Sequence, residues 1–295
     1  NFKIKNMKRN IQVLLVMILL LSFVNTNAQT RYLEEIFNNV TIESDVIYAN
    51  NISILPVLAG LPPAPTDLAC DIYHPTGDTA TNRPVIIIAH TGSFLPPVLN
   101  GQATGNKNDS SIVEQCVRWA KKGYVAVAIS YRAGWNPTST NADVRRSTLI
   151  QAALRGLQDT RTAVRFLRKS VQEEGNPYGI MEHFVVGGLG TGGYISLAAG
   201  SLNDYESELT TAKFLDTSQD IDGDGVNDPI PYIIPEFLGN LDGTSEGVLP
   251  ALDIDGDGEA DATDVTLCIP NHIGYSSDID MVFNIGGAIP DTAWM

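Results

Sequence analysis

Residues 183–193 run His-Phe-Val-Val-Gly-Gly-Leu-Gly-Thr-Gly-Gly. An apolar stretch of strand length enters a turn dense in glycine, and Tyr194–Ala199 behind it reads as helix. Glycine at such a junction lets the backbone turn sharply and lets the helix settle close to the strand ends. A strand–turn–helix unit of this kind belongs in a parallel sheet covered by helices. That restricts the chain to α/β architectures more than any other feature. Spaced on its outer glycines, the turn is Gly188-Leu189-Gly190-Thr191-Gly192, with Gly190 at the apex.

The rest of the chain supports a sheet of that type. Pro84–Ala89 is an unbroken apolar run, which predicts a strand buried on both faces, and Tyr124–Ser130 and Met281–Ile285 also read as buried strands. Val40–Tyr48 and Asp67–Tyr73 also read as strands, with Pro62, Pro63 and Pro65 in their connection. A loop rich in Gly, Asn and Pro spans Thr91–Asn108. Ser111-x-x-Glu114 predicts a capping box that opens a helix. Its apolar face is Ile112, Val113, Cys116, Val117 and Ala120, and Gly123 ends it. Ala142–Ser170 predicts a long helix that turns Leu149, Ala153, Leu157, Ala163, Phe166 and Leu167 inward, with a bend or break at Gly156. Strands alternating with helices give a doubly wound, mostly parallel α/β sheet.

Lys3, Lys5, Lys8 and Arg9 precede an apolar run, Ile11–Phe23, and Thr26-Asn27-Ala28 places small residues at a cleavage site. This predicts a signal peptide over residues 1–28, with Met7 as the start, and a secreted, periplasmic or extracellular product. The run is short for a bilayer span and no later segment is long and apolar enough, so no membrane partner is expected after cleavage. Removing those four positive charges takes the formal net charge from −15 to −19. Nucleic acid is not expected as a partner, because phosphate neutralisation needs clustered Lys and Arg. Of Cys70, Cys116 and Cys268, two can pair in an exported chain. The strand and helix positions of Cys70 and Cys116 favour buried free thiols. Asn39-Val40-Thr41, Asn51-Ile52-Ser53 and Asn108-Asp109-Ser110 are glycosylation sequons, meaningful only in a eukaryotic secretory pathway. Residues 29–295 suit one domain.

Several blocks, in order, resemble the α/β-hydrolase fold of secreted carboxylesterases and lipases. Asp71-Ile72-Tyr73-His74-Pro75 resembles an early strand ending of that group. Ile88-Ala89-His90-Thr91-Gly92-Ser93-Phe94 resembles its His-Gly-Gly-Gly oxyanion loop in degraded form. Ser130-Tyr131-Arg132 resembles the Asp-Tyr-Arg after the next strand, and Gln158-Asp159-Thr160-Arg161 the helix before the elbow strand. The glycine-rich turn then resembles the nucleophile elbow, G-x-S-x-G. The resemblance implies hydrolysis of a carboxylic ester through a serine acyl-enzyme, on a small ester or a carbohydrate-linked ester. It also implies an oxyanion hole built from the N–H of Gly92 or Ser93 with that of Thr191.

Two departures put that chemistry in doubt. Gly190 stands where the serine belongs and cannot attack; glycine is what a strained elbow can drift to once chemistry is not required. Thr191 is one residue late and points elsewhere, and Ser93 reads as a loop-turning residue that lends an N–H. The acid and histidine of the group follow the serine. Here His272 is the only histidine after the elbow, and it precedes the strand Met281–Ile285. It reads as a surface or loop histidine, and Asp291 as a loop aspartate. The expectation is a C-terminally truncated fragment, with the remaining triad members beyond Met295.

Between residues 202 and 280, where lids are inserted in this fold, one acidic motif occurs twice. Asp220, Asp222, Asp224 and Asp228 form the first copy; Asp253, Asp255, Asp257 and Asp261, with Asp264, form the second. D-x-D-G-D-G-x-x-D sets carboxylates at positions 1, 3, 5 and 9 of a calcium loop with glycine at 6. Asp264 fills position 12 of the second, as in the dockerin-type loops it resembles, while Pro231 occupies it in the first. Pro250 argues against a helix–loop–helix. Structural calcium is the expected cofactor, and a cohesin-type partner is not expected because the copies lie inside the domain. The rival to a hydrolase is a non-catalytic, calcium-stabilised binding or scaffold protein on the same fold.

Overall fold

The computed structural model describes residues 30–220, 222–251 and 263–291. Its main sheet is built from β1 (Val40–Ser53), β2 (Ala64–Pro75), β3 (Arg83–Ala89), β4 (Val125–Ile129) and β5 (Ile180–Leu189), and from a last strand, Met281–Ile285. Between β5 and that strand lie two small hairpins, β6 (Leu215–Gln219) with β7 (Asp228–Pro231), and β8 (Gly247–Leu249) with β9 (Val265–Cys268), so the last strand is β10. The order across the sheet is β1-β2-β4-β3-β5-β10. β2 runs antiparallel to both of its neighbours, and β4, β3, β5 and β10 run parallel. This is the α/β-hydrolase fold. Ile86, Ile87 and Ile88 are at most 3% exposed, so the unbroken apolar run reflects cover on both faces.

Three longer helices flank the sheet: α1 (Ser110–Lys121), α2 (Ala142–Gln172) and α3 (Thr191–Ser201). The structure corrects four local expectations. The Ser111 capping box does not form. Asp109 is the N-cap, and its carboxylate takes the N–H groups of Gly105 and Asn106 instead, while Glu114 pairs with Arg118. Pro65 lies inside β2, not in the connection before it. α3 begins at Thr191, three residues before the expected start. α2 does not break at Gly156; a Cβ there would lie 2.5 Å from Ile195 Cδ1, so the glycine lets α2 and α3 cross closely.

All three cysteines are free and buried, and burial pushes the Cys70 thiol up to about 12. Asn51 is 2% exposed and bonds Arg132 and Ile269, so its sequon cannot receive a glycan. The predicted signal peptide lies outside the described residues. Among the described residues no helix is long and apolar enough to cross a membrane.

One face of α2 is polar and buried, which its sequence alone does not explain. Arg132 and Asp159 form an ion pair in which both side chains are at most 1% exposed. Arg132 also donates to Asn51, Gln158 and the Leu267 carbonyl. Further along α2, Gln158 donates to the carbonyls of Leu238 and Asn240, and Arg165 to those of Asp242 and Asn271. Arg168 donates to Ser276 and Asp278. Much of the described part of the region read as a lid is therefore clamped along α2.

Candidate active site

The glycine-rich turn is an elbow in fact. Gly190 adopts φ 53° and ψ −115°, a region that costs a residue with a side chain about 1–3 kcal/mol. Its N–H donates to the Ile285 carbonyl at 2.9 Å, and its carbonyl accepts from Gly193, so the apex is fixed between β10 and α3. A Cβ at Gly190 would lie 2.2 Å from Thr91 Oγ1 and 3.1 Å from Thr91 Cβ. Thr91 thus occupies the space into which a nucleophile's side chain would project.

The loop facing the apex is the one read as an oxyanion loop. Gly92, Ser93 and Phe94 all take positive φ, at 116°, 57° and 53°. Asn100 Nδ2 gathers the carbonyls of Gly92, Leu95 and Thr104, and the Trp135 indole N–H donates to Ser93 O at 2.8 Å. Among the described residues no acceptor takes the N–H of Gly92 or Ser93. That of Thr191, as the first residue of α3, has no intrahelical acceptor. The Thr191 hydroxyl lies 3.4 Å from Tyr131 Oη, which itself donates to His90 O.

All four histidines of the chain are engaged elsewhere. His74 pairs with Glu43 and His183 with Asp280. His272 Nε2 donates to Tyr48 O at 2.7 Å, with its ring against Phe166. His90 Nδ1 donates to Thr91 O at 2.6 Å, its ring stacks on Tyr131, and burial, opposed by that hydrogen bond, holds its pKa below the usual value. None of them is bonded to the hydroxyl of Thr91, Ser93 or Thr191. Asp291 lies 4.0 Å from Lys213 Nζ, which also donates to Pro290 O.

A cavity of about 430 Å³ opens beside the elbow, within the ~300–1,000 Å³ usual for small-molecule sites. Ser93, Phe94 and Trp135 border it from the loop, and Thr191, Tyr194, Ile195 and Ala198 from α3. Leu149, Ile150, Ala153, Leu154 and Leu157 of α2 form another wall. Leu202, Leu209, Phe214 and Ile233 close it from the inserted region, with Pro290 beyond β10. No lining residue is charged. Sequence reasoning found the apex and the loop but missed Thr91. The available signal was the threonine after His90, where the resembling motif has glycine.

In sequence the first acidic motif runs from the end of β6 into β7, and the second lies between β8 and β9. Carboxylate oxygens of Asp220, Asp222 and Asp224 lie within 4.8 Å of one another on exposed side chains. Asp220 accepts from the N–H groups of Gly223 and Gly225, and Gly225 has φ 88°. Converging hard oxygens and a glycine at the tight position fit a calcium ion. Asp228 stands outside that group, at the start of β7. Asp253, Asp255, Asp257 and Asp261 lie outside the described residues, and Asp264 accepts the Ala251 N–H at 2.9 Å.

Solved structures that match the chain include Thermogutta terrifontis esterase 2 phosphoramylated by tabun. It is 20% identical over 55% of this chain and 48% of that one, with a TM-score of 0.37. Esterase B from Lactobacillus rhamnosis, inhibited by a tributyrin phosphonate, matches at 19% identity over 63% and 49%, with a TM-score of 0.34. The bacterial brefeldin A esterase matches at 15% identity over 57% and 36%, with a TM-score of 0.31. The chain spans about half the length of these proteins or less. No curated protein matches it. The BD-FAE family model matches residues 70–229, more than half of the 295 residues, from within β2 through the elbow to the first acidic loop. The chain belongs to the BD-FAE family, an esterase-like family of the α/β-hydrolase fold.

Proposed function

We propose that this protein keeps the ligand-holding part of an ester hydrolase and lacks the bond-breaking part. The observation that carries this reading is at the apex, where Gly190 brings no nucleophile and Thr91 fills its space. A small ester, or an ester linked to carbohydrate, would place its carbonyl oxygen toward the N–H groups of Gly92 or Ser93 and Thr191, and its apolar part in the cavity. Serine chemistry needs an oriented histidine as base, a contribution of about 10²–10⁴ in rate. The histidines described above are committed to other partners. Assayed on short-chain nitrophenyl esters, the protein is expected to show background hydrolysis only. Clear turnover that persists in Ser93→Ala and Thr191→Ala would refute this reading.

The inserted region supports a second proposal, that calcium staples the two hairpins in a protein that works outside the cytoplasm. The first loop closes the β6–β7 hairpin, and Phe214 and Ile233, which border the cavity, flank that hairpin in sequence. Without a cation its clustered carboxylates repel. Titration calorimetry on chelator-treated protein is expected to detect calcium binding. Asp222→Ala with Asp224→Ala should weaken one site, and Asp255→Ala with Asp257→Ala the other. An absence of binding heat in the unmutated protein would remove the staple.

A further inference from the structure

We infer that a second cavity, separate from the one at the elbow, holds a small primary ammonium ion with a short apolar chain. The inference goes beyond the reading above and does not depend on whether esters are hydrolysed.

This cavity has a volume of about 220 Å³ and shares only Ile233 with the lining of the elbow cavity. Most of its lining follows residue 229, where the family match ends. Ile233, Pro235, Leu241 and the Tyr205 ring give it apolar surface, and Asn203, Asn240 and Asp242 bring further polar side chains. Each donor atom of those side chains already has a partner. Tyr205 Oη donates to the Ile233 carbonyl at 2.7 Å, Asn203 Nδ2 to that of Ser201 at 3.1 Å, and Asn240 Nδ2 to Thr244 Oγ1 at 2.9 Å. The acceptors are not all matched. Asp242 Oδ1 takes Arg161 and Ser277, but among the described residues no donor reaches Asp242 Oδ2 or Asn203 Oδ1. A ligand that donates and does not accept suits such a lining, and an ammonium group has three donors and no acceptor.

Charge favours the same ligand. Glu206 and Glu236 directly follow the lining residues Tyr205 and Pro235, and Glu208 accepts the Asn203 N–H at 2.7 Å. With Asp242 they outnumber the neighbouring cations, Arg161 on the Asp242 carboxylate and Arg165 on its carbonyl, neither of which lines the cavity. A carboxylate ligand would lose water and meet no lining cation. An aromatic ring such as that of Tyr205 attracts a cation to its face. A volume below the ~300–1,000 Å³ usual for ligand sites limits the chain to a few carbons.

The test titrates butylammonium chloride, butan-1-ol and sodium butyrate into the full chain at neutral pH, with affinities read by saturation-transfer NMR. Salt at about 0.15 M screens loose attraction to the acidic surface. Butylammonium should bind about tenfold more tightly than the alcohol, as a charged donor against a neutral one, and butyrate should not bind. Asp242→Asn keeps the shape, removes the charge and should weaken butylammonium about tenfold. Because Asp242 also holds Arg161, Asn203→Asp at an exposed position gives a second readout, and should tighten binding about threefold. No binding of butylammonium, equal affinity for the alcohol, binding of butyrate, or an affinity that neither substitution changes would each overturn the inference. Ester turnover by the native protein would sink the non-catalytic reading and leave these outcomes untouched.

Discussion

Serine placed at position 190 by itself will destabilise the protein and will not create an esterase. Two costs add. The φ 53°, ψ −115° backbone strains any side chain by about 1–3 kcal/mol, and overpacking against Thr91 costs about 1–3 kcal/mol more. Urea unfolding of Gly190→Ser should therefore show a loss of about 3 kcal/mol at unchanged m. In Thr91→Gly/Gly190→Ser the clash disappears and the strain remains, so the double variant should be more stable than the sum of the singles predicts, by about 1–2 kcal/mol. Neither variant of this chain should exceed background hydrolysis, because among the described residues no histidine is bonded at the apex. Additive effects would show that Thr91 does not fill the nucleophile's space. Robust turnover by the double variant would show that a base is within reach after all.

The second large effect is expected behind the site, at the Arg132–Asp159 pair. Asp159→Asn keeps the shape of the side chain and removes its charge. Arg132 then lies buried with only neutral partners, next to Arg155, whose Nε has none. Breaking a buried pair from one side costs about 3–5 kcal/mol, enough to unfold much of the population at moderate urea. Arg155→Met should behave oppositely. Burial and the nearby Arg132 push the Arg155 pKa down, so its charged form is disfavoured where it sits. Replacing it with an apolar chain should leave stability unchanged or raise it. A cost below about 1 kcal/mol for Asp159→Asn, measured by the urea midpoint, would show that the pair holds little together.

Much of the fold was legible because its signals are local. The strand Met281–Ile285 was read with the bounds the structure gives, and β3 and β4 within one residue at each end, since short runs rich in apolar residues favour strand. The expected burial of Met281–Ile285 is not found, because β10 is an edge strand with Met281 and Ile285 exposed. The elbow was legible because several glycines at one strand–helix junction have few other uses. What was not legible depended on partners distant in sequence. The Ser111 box lost to Asp109, whose competing acceptors lie in the preceding loop. Gly156 read as a break because the pattern within α2 says nothing of Ile195, which approaches from α3. Thr91 was present in the motif as a departure from glycine, but its role appears only when the loop is laid over the apex. The burial of the polar residues of α2 follows from carbonyls that lie 70 or more residues away in the chain, which no local pattern announces.

Those carbonyls also bear on how the chain reaches its native state. Gln158 and Leu238 are 80 residues apart, Arg165 and Asn271 are 106, and Arg168 and Asp278 are 110. Each bond rewards the chain only after a long loop has been closed, and closure entropy must be met before such contacts form. Within the sheet the pairing of β3 with β5, Val85 opposite Phe184, needs a closure of comparable span. Sheet assembly and docking of the clamped segment therefore carry similar loop-closure costs, and the chain is expected to fold slowly for its size.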